Sequence, residues 1–297
     1  MTITDLGVSF KYITGGVTYN LNGSNTISTP IGGQYTFSYL GDQGFGLAPL
    51  HRITTRGPLQ HGDSDIDFRL DPRILQIPLV VKNESSTAPK ATHYSIRNAL
   101  LQIFKPQSSG TLQILIGTTS GGVSKIQDYR IDTKVLGGLS FDVEPTSYHV
   151  RTIVQLRAED PTWYEPYTSG NPYVVTYFDT NIGSSQIFPI GGNWQTYPVI
   201  RINGPITNPT ITNTTTGEVI AITATISAGA YYDIDLSYGA KTVVDNTGTN
   251  RISTVSAASD LATWHFEPGN NTIAVTGSST SSSSDIDFTY YNRYTGI

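Results

Sequence analysis

Apolar and polar residues alternate at a period of two in one short segment after another, and this limits what the chain can become more than any other feature. Val8 to Ile13, Ile66 to Leu70, Leu112 to Ile116, Val150 to Leu156 and Val199 to Ile202 all read this way, between Gly, Pro, Asn and Asp residues. That period sends alternate side chains to opposite faces of a strand, and the flanking residues supply turns. Ile74 to Val81 is more continuously apolar, as a strand covered on both faces would be. One helical period interrupts the pattern, between Ser86 and Pro106. There Pro89 suits a helix start, Ile96, Leu100, Ile103 and Phe104 form one apolar face, and Pro106 supplies the stop. The first part is therefore expected to be a β-barrel or sandwich carrying one packed helix. Gly110 to Gly117 and Gln127 to Val135 continue it, and Gly137 and Gly138 turn into Leu139 to Val143. The strand Tyr148 to Ala158 and the segment Glu159 to Pro166 close it.

From Pro166 the composition shifts to Thr, Ser, Asn, Gly and Tyr with no helical period. A chain of 297 residues exceeds what one hydrophobic core usually organises. The boundary is placed at Pro166 to Asn171, giving domains 1–166 and 167–297. Strands are expected at Tyr173 to Phe178, Tyr197 to Ile202, Pro209 to Asn213, Val219 to Ile226 and Tyr231 to Leu236. Others are expected at Lys241 to Asp245, Ala262 to Phe266, Asn271 to Val275 and Asp285 to Tyr291, and short strands at this spacing make an antiparallel β-sandwich. The run Ser278 to Ser284 reads as a low-complexity hairpin loop, the most mobile internal segment. The pentapeptide Ser-Asp-Ile-Asp-Phe occurs at Ser64 to Phe68 and again at Ser284 to Phe288, but the flanks differ and no duplication is inferred.

Charge is sparse and uneven. After Glu165 there are four cations, Arg201, Lys241, Arg251 and Arg293, against nine carboxylates, so the whole net charge of −5 lies in the second part. This balance argues against nucleic-acid readout, which depends on cations that neutralise phosphates. Without cysteine there are no disulfides and no thiolate metal sites. A signal-peptide pattern is missing and no stretch nears the ~20 apolar residues of a membrane span, so neither secretion nor membrane insertion is expected.

Motifs for chemistry are few. Asp63, Asp65 and Asp67 have the spacing of a calcium loop's start, but Phe68 and Ile74 stand where such a loop needs Gly and Glu. The polar face of an edge strand accounts for them as well, and solvent-facing alternation accounts for Asp233 with Asp235 and Asp285 with Asp287. His51, His61, His93, His149 and His265 form no zinc motif. Serine-nucleophile elbows, phosphate loops and catalytic cysteines are lacking, and Gly41, Gly44 and Gly46 precede no helix. The sequons at Asn22, Asn83 and Asn213 carry little weight in so Asn- and Thr-rich a chain. A carboxylate-pair glycosidase stays open because its acids need meet only in space. The expectation is no enzyme, no catalytic residue, no metal and no cofactor.

Aromatic residues crowd the second part, with Trp194 and Trp264 among Tyr231, Tyr232, Tyr238, Tyr290, Tyr291 and Tyr294. Such rings fill sandwich cores and interfaces, and exposed ones stack on sugar rings. Trp264 and Phe266, two apart in one expected strand, fit core packing, whereas Trp194 and Tyr238 are the candidate glycan-binding residues.

The order of several motifs then resembles a known family. Arg69-Leu70-Asp71-Pro72-Arg73-Ile74-Leu75-Gln76-Ile77-Pro78-Leu79, one helix around Ile96 to Phe104, and Gly110-Thr111-Leu112 look like the distal tail (Dit) proteins of long-tailed, siphovirus-type bacteriophages. Gln155 to Trp163 is similar to that family's closing strand. Tyr197 to Gly204, Asn213 to Gly217 and His265 to Ile273 resemble its galectin-like β-sandwich. The resemblance implies a structural virion protein, assembled in the host cytoplasm, that forms a homo-hexameric ring at the tail tip. It implies contacts with the tail tube protein, the tape-measure protein and the tail-tip hub of the baseplate, and anchorage of receptor-binding proteins. Gly41 to Gly46 and Ser278 to Ser284 match nothing in the family pattern. Rival readings are a carbohydrate-binding module of the tail tip that recognises host-surface glycan, and a baseplate polysaccharide hydrolase.

Overall fold

A computed structural model describes residues 3–21, 23–25, 35–39, 44–83, 89–120, 123–141, 149–166 and 170–297. Asn22, Gly41, Ser86, Val143 and Tyr148, for which the sequence carries expectations, lie outside the described residues. The chain is mainly β, with antiparallel sheets and the one helix. It divides into two compact units: Met1–Trp163 with Thr295–Ile297, and Tyr164–Tyr294. The last three residues thus return to the first unit.

The strands of the first unit are β1 (Ile3–Thr14), β2 (Val17–Asn20), β3 (Gly23–Asn25), β4 (Tyr35–Tyr39), β5 (Leu50–Thr55), β6 (Ser64–Leu70) and β7 (Arg73–Asn83). The helix α1 (Pro89–Ile103) follows, then β8 (Ser109–Ser120), β9 (Val123–Gly138) and β10 (His149–Ala158). Eight of these strands form one path, in the order β2-β1-β8-β9-β10-β7-β4-β3. β1 and β2 pair through a tight turn at Gly15 and Gly16, whose φ of 56° and 76° suit a hairpin. One face is the core: Tyr12, Leu75, Ile77, Leu79, Leu112, Ile114, Ile131, Val154 and Leu156 are buried. Helix α1 buries Ile96, Leu100 and Ile103, with Phe104 just beyond it, and Phe104 sets its ring 4.8 Å from that of Tyr12. Pro89 stands at the helix's first position, as its fixed φ and missing N–H favour.

The other face of this sheet is open. The apolar run at Ile74 is not covered on both sides, since Ile74 is 49% exposed while Leu75 and Ile77 are buried. Its continuity reflects apolar residues on an uncovered face. β5 and β6 form a separate two-stranded sheet paired from Leu50↔Leu70 to Thr55↔Ser64.

At the centre of the first unit lies a charge. Arg73 is buried and has no carboxylate partner among the described residues. Its Nε donates to the carbonyl of Pro161 at 2.9 Å, and Nη1 donates to those of Gly44 and Gly46, each at 2.6 Å. Nη2 donates to Thr295. Burial pushes its pKa down to about 10, so it remains protonated at neutral pH. The side chain lies 5.9 Å from the ring centroid of Trp163, which meets Phe45 edge-on at 5.4 Å. Backbone bonds from Ala48 to Thr295 and from Ile297 to Phe45 complete the closure.

A short strand, β11 (Trp163–Glu165), begins where the second unit starts. That unit then contains β12 (Tyr173–Phe178), β13 (Ser185–Ile190), β14 (Val199–Asn203), β15 (Ile206–Asn213), β16 (Glu218–Ala221), β17 (Thr225–Ile226), β18 (Tyr231–Asp235) and β19 (Thr242–Asp245). It ends with β20 (Gly269–Ser278), β21 (Asp285–Tyr290) and β22 (Asn292–Tyr294). Two sheets, β12-β21-β14-β18-β19 and β13-β20-β15-β16, enclose one core. Rings dominate it: Trp264 lies 5.2 Å from Phe266, and Phe188 lies 5.4 Å from Phe288.

Several expectations need correction. Ala262 to Phe266 is no strand: a turn at 261–263, closed by Trp264 N donating to Asp260 O at 2.8 Å, leads to a lone bridge from Phe266 to Thr196, and the Trp264 and Phe266 side chains are fully buried. Val219 to Ile226 splits into β16 and β17, and β13 is a strand the sequence reading missed. In the serine run, Ser284 is buried and its hydroxyl donates to Pro205 O at 2.6 Å, so that end of the loop is tied down.

Replacing Arg73 by Leu would leave several carbonyls without donors, at roughly 1–3 kcal/mol for each buried group left unpaired. Arg73→Leu is expected to lower the stability of the first unit by about 4 kcal/mol or more. In hydrogen exchange, the amides of Ala48 and Ile297 should lose protection while that of Ile200 in the second unit keeps it. Unchanged protection at Ala48 would refute the closure role.

Candidate functional site

The second unit gathers its polar and aromatic groups around Tyr197. The Tyr197 hydroxyl donates to Gln195 Oε1 at 3.3 Å, and Gln195 Nε2 donates to Glu267 at 3.3 Å. Glu267 Oε1 lies 2.9 Å from His265 Nε2, while His265 Nδ1 faces Thr263 O at 2.7 Å and Glu218 at 3.2 Å. Lys241 Nζ sits 4.5 Å from the Tyr197 ring centroid and donates to Leu236 O, and Arg293 lies 5.5 Å from the same ring. Burial, the largest cause, raises the Tyr197 pKa, and Glu218, Tyr238 and Glu267 act in the same direction against Arg293. Burial also lowers the Lys241 pKa, opposed by Glu218 and Asp235.

Of the two aromatic candidates, Tyr238 is 73% exposed and near enough to Tyr197 to affect its titration. Trp194 is half-buried, and its backbone N–H donates to Arg293 O at 3.2 Å. Tyr238 thus acts on Tyr197, while Trp194 is tied by its backbone to Arg293. The sequence reading missed the cluster, whose residues come from positions between 195 and 293 and meet only through strand pairing. The buried aromatics at 264 and 266 beside His265 are the signal that could have drawn attention to it.

The paired carboxylates have structural partners. Asp233 takes two bonds from Arg201, its cross-strand neighbour, at 2.8 and 2.9 Å, and the Arg201 guanidinium lies 4.1 Å from the Tyr231 ring centroid. Asp287 accepts from Thr176 at 2.6 Å, and Asp285 accepts from Asn203. These are cross-strand pairs on a sheet surface. The Asp63, Asp65 and Asp67 group does not converge. A register shift sets Asp65 opposite Thr54 and Asp67 opposite Ile53, which leave opposite faces of β5. Asp65 instead accepts from Arg52 at 2.7 Å. Among the described residues no group of three or more His, Cys, Asp and Glu could hold a metal ion. No described helix is long and apolar enough to cross a membrane.

One carboxylate is strongly perturbed. Asp245 is held well below the usual carboxylate range, first by the Thr247 hydroxyl at 2.6 Å, then by Arg251 Nε at 2.8 Å and by the backbone N–H groups of Thr249 and Thr247. A perturbed acid in a cleft is a candidate for chemistry, but these donors all come from residues 247 to 251, so Asp245 organises the loop after β19.

Residues 191–294 match the family described as siphovirus-type tail component, C-terminal domain. No curated protein matches. Among solved structures, the chain is similar to the SPP1 Dit (gp 19.1) protein, titled a paradigm of the hub adsorption apparatus in Gram-positive-infecting phages. That likeness covers 96% of this chain and 98% of the other, with a TM-score of 0.62 at 11% identity. Two structures of the phage p2 baseplate in its activated conformation, with Ca and with Sr, also match. Each covers 98% of this chain and 100% of the other at 9% identity, with TM-scores of 0.49 and 0.48. The family match covers residues 191–294 of the second unit, and the chain as a whole shares the fold of the SPP1 Dit protein.

Asp245 carries a sign for pH dependence. Its folded pKa is depressed, so its contribution is present above the unfolded value of ~3.9 and is lost as pH falls through the lower folded value. Below about pH 4, wild type should lose second-unit stability as acid is added. Asp245→Asn should be less stable at neutral pH and nearly flat across that window, as fluorescence-detected urea unfolding at a series of pH values would show.

Proposed function

We propose that this chain is a structural protein of the phage tail tip, six copies of which close into a ring between the tail tube and the baseplate hub. The observation that carries this reading is the tail-component domain at residues 191–294 within a chain whose fold matches SPP1 Dit over nearly its whole length. In this reading the first units tile around the axis and meet the tube protein, the tape-measure protein and the hub. The second unit offers surface to receptor-binding proteins. The ring is a virion part that performs no catalysis. Sparse charge suits this role, since desolvating an ion at a permanent interface is costly and aromatic contacts contribute most there. Native mass spectrometry of the purified chain should show a species of six times the chain mass. A monomer at every concentration, with and without tube protein, would end the reading.

A second reading rests on Tyr238, a ring 73% exposed beside the hydrogen-bonded Tyr197 cluster. Stacking of such a ring on a sugar face would make the second unit a recognition module for host-surface glycan, with Trp194 as the second candidate ring. A glycan array should then show binding that Tyr238→Ala reduces at least about tenfold. Silence across cell-wall glycans would dismiss it.

A further inference from the structure

The two sheets of the second unit end in β12 and β19 and in β13 and β16. On one side the chain itself covers the edges. Ser256 N donates to Ala221 O at 2.9 Å and Asp260 N to Val219 O at 2.7 Å along β16, while Arg251 N donates to Val243 O at 2.8 Å and Asp245 N to Thr249 O at 3.0 Å along β19. On the other side β13 carries Pro189, which has no N–H to offer a further strand. β12 has neither device. Its sequence, Tyr-Val-Val-Thr-Tyr-Phe, holds no Pro, no Gly and no charge, and it pairs with β21 in unbroken register from Tyr173↔Tyr290 to Phe178↔Asp285. Among the described residues, no backbone group of residues 174 to 178 bonds anything outside that ladder. Alternate residues of an edge strand point their N–H and C=O away from the sheet, so β12 presents a row of unpaired backbone groups on residues of high β-propensity.

The surroundings of this edge have a sign. Val174 and Phe178 are each 59% exposed on the outer face of the sheet. On β21, Asp287 stands opposite Thr176 and Asp285 opposite Phe178, and Asp179 follows at the end of β12. Asp287 and Asp285 accept from the neutral donors Thr176 and Asn203, and none of the three carboxylates has an ion-pair partner among the described residues. Arg201, opposite Asp287 on the far side of β21, is paired with Asp233. An added strand would run about 10 Å from the β21 backbone, two strand spacings away, which a long cationic side chain and an aspartate span between them. Its stem would lie over Val174 and Phe178. A second copy of β12 would bring the same carboxylates to the same border, and like charges oppose that pairing.

We propose that β12 accepts an extended segment of another protein as a further strand of its sheet, a segment in which β-branched or aromatic residues alternate with Lys or Arg. Its apolar residues continue the core-facing row of Val175 and Tyr177, and its cations lie on the outer face with Asp285 and Asp287. Backbone bonds supply affinity and the alternating side chains supply selectivity, as in other cases of strand addition. The inference goes beyond the ring, since it needs only the second unit of a single copy.

The test sets the full chain against arrayed synthetic peptides in which Val, Ile or Tyr alternates with Lys, beside the same peptides with Glu in place of Lys. The Lys series is expected to bind at least about tenfold more tightly than the Glu series, and more weakly as salt rises. With the tightest peptide bound, hydrogen exchange should show protection gained by alternate amides of β12 and by none of β13. Val174→Lys combined with Phe178→Lys, at two exposed positions, should leave the thermal melt in place and cut binding at least about tenfold. The exchange pattern still decides the matter if that variant melts early. Absence of binding, equal binding of the two series, wild-type binding by the double variant, or protection outside β12 would each overturn the proposal. Protection of β12 that rises with protein concentration alone would make a second copy the occupant and overturn it as well.

Discussion

The first unit depends on one buried guanidinium. Arg73 lies at the start of a central strand, and its donors take carbonyls from the 44–46 loop, from Pro161 and from Thr295. Burying an ion without a counter-ion is ordinarily prohibitive. Here four carbonyl dipoles and the face of Trp163 replace water. Lysine has three donors on a point charge, whereas the planar fork of arginine offers five in fixed directions, which is what four separate backbone acceptors require. Sequence-distant segments therefore converge because one side chain needs all of them at once.

Much of the fold was legible in the chain. Period-two alternation located β1, β8, β10 and β14, and the Pro89 to Pro106 segment located the helix with its buried face of Ile96, Leu100, Ile103 and Phe104. Legibility failed where local pattern and tertiary demand diverge. Ala262 to Phe266 alternates like a strand, but its buried rings hang from a turn that reaches into the sandwich. Ser185 to Ile190 looks like polar linker with a proline in it, and it pairs with β20 as an edge of its sheet, where a missing N–H is tolerated. Ile74 to Val81 looked doubly covered because an apolar run does not tell which of its residues are buried, and Ile74 is half exposed.

Surfaces were harder to read than cores. Trp194 and Tyr238 were recognisable as aromatic residues in a Thr- and Asn-rich context, but the Tyr197 cluster is assembled by strand pairing across nearly a hundred residues. The three aspartates of 63–67 suggested a shared site, and a single register shift sends two of them to opposite sides. One extra residue in a ladder is invisible in composition and decisive in space.

The return of Thr295–Ile297 to the first unit has a consequence for how such genes can recombine. The second unit is an insertion with two splice points, at Tyr164 and Tyr294. A single crossover that exchanged everything downstream of Tyr164 would import a foreign tail in place of the acceptor at Thr295 and strand the Arg73 donor that it satisfies. Exchange of the second-unit cassette is then tolerated only when both junctions are kept, or when the incoming terminus brings its own carbonyl to the same place.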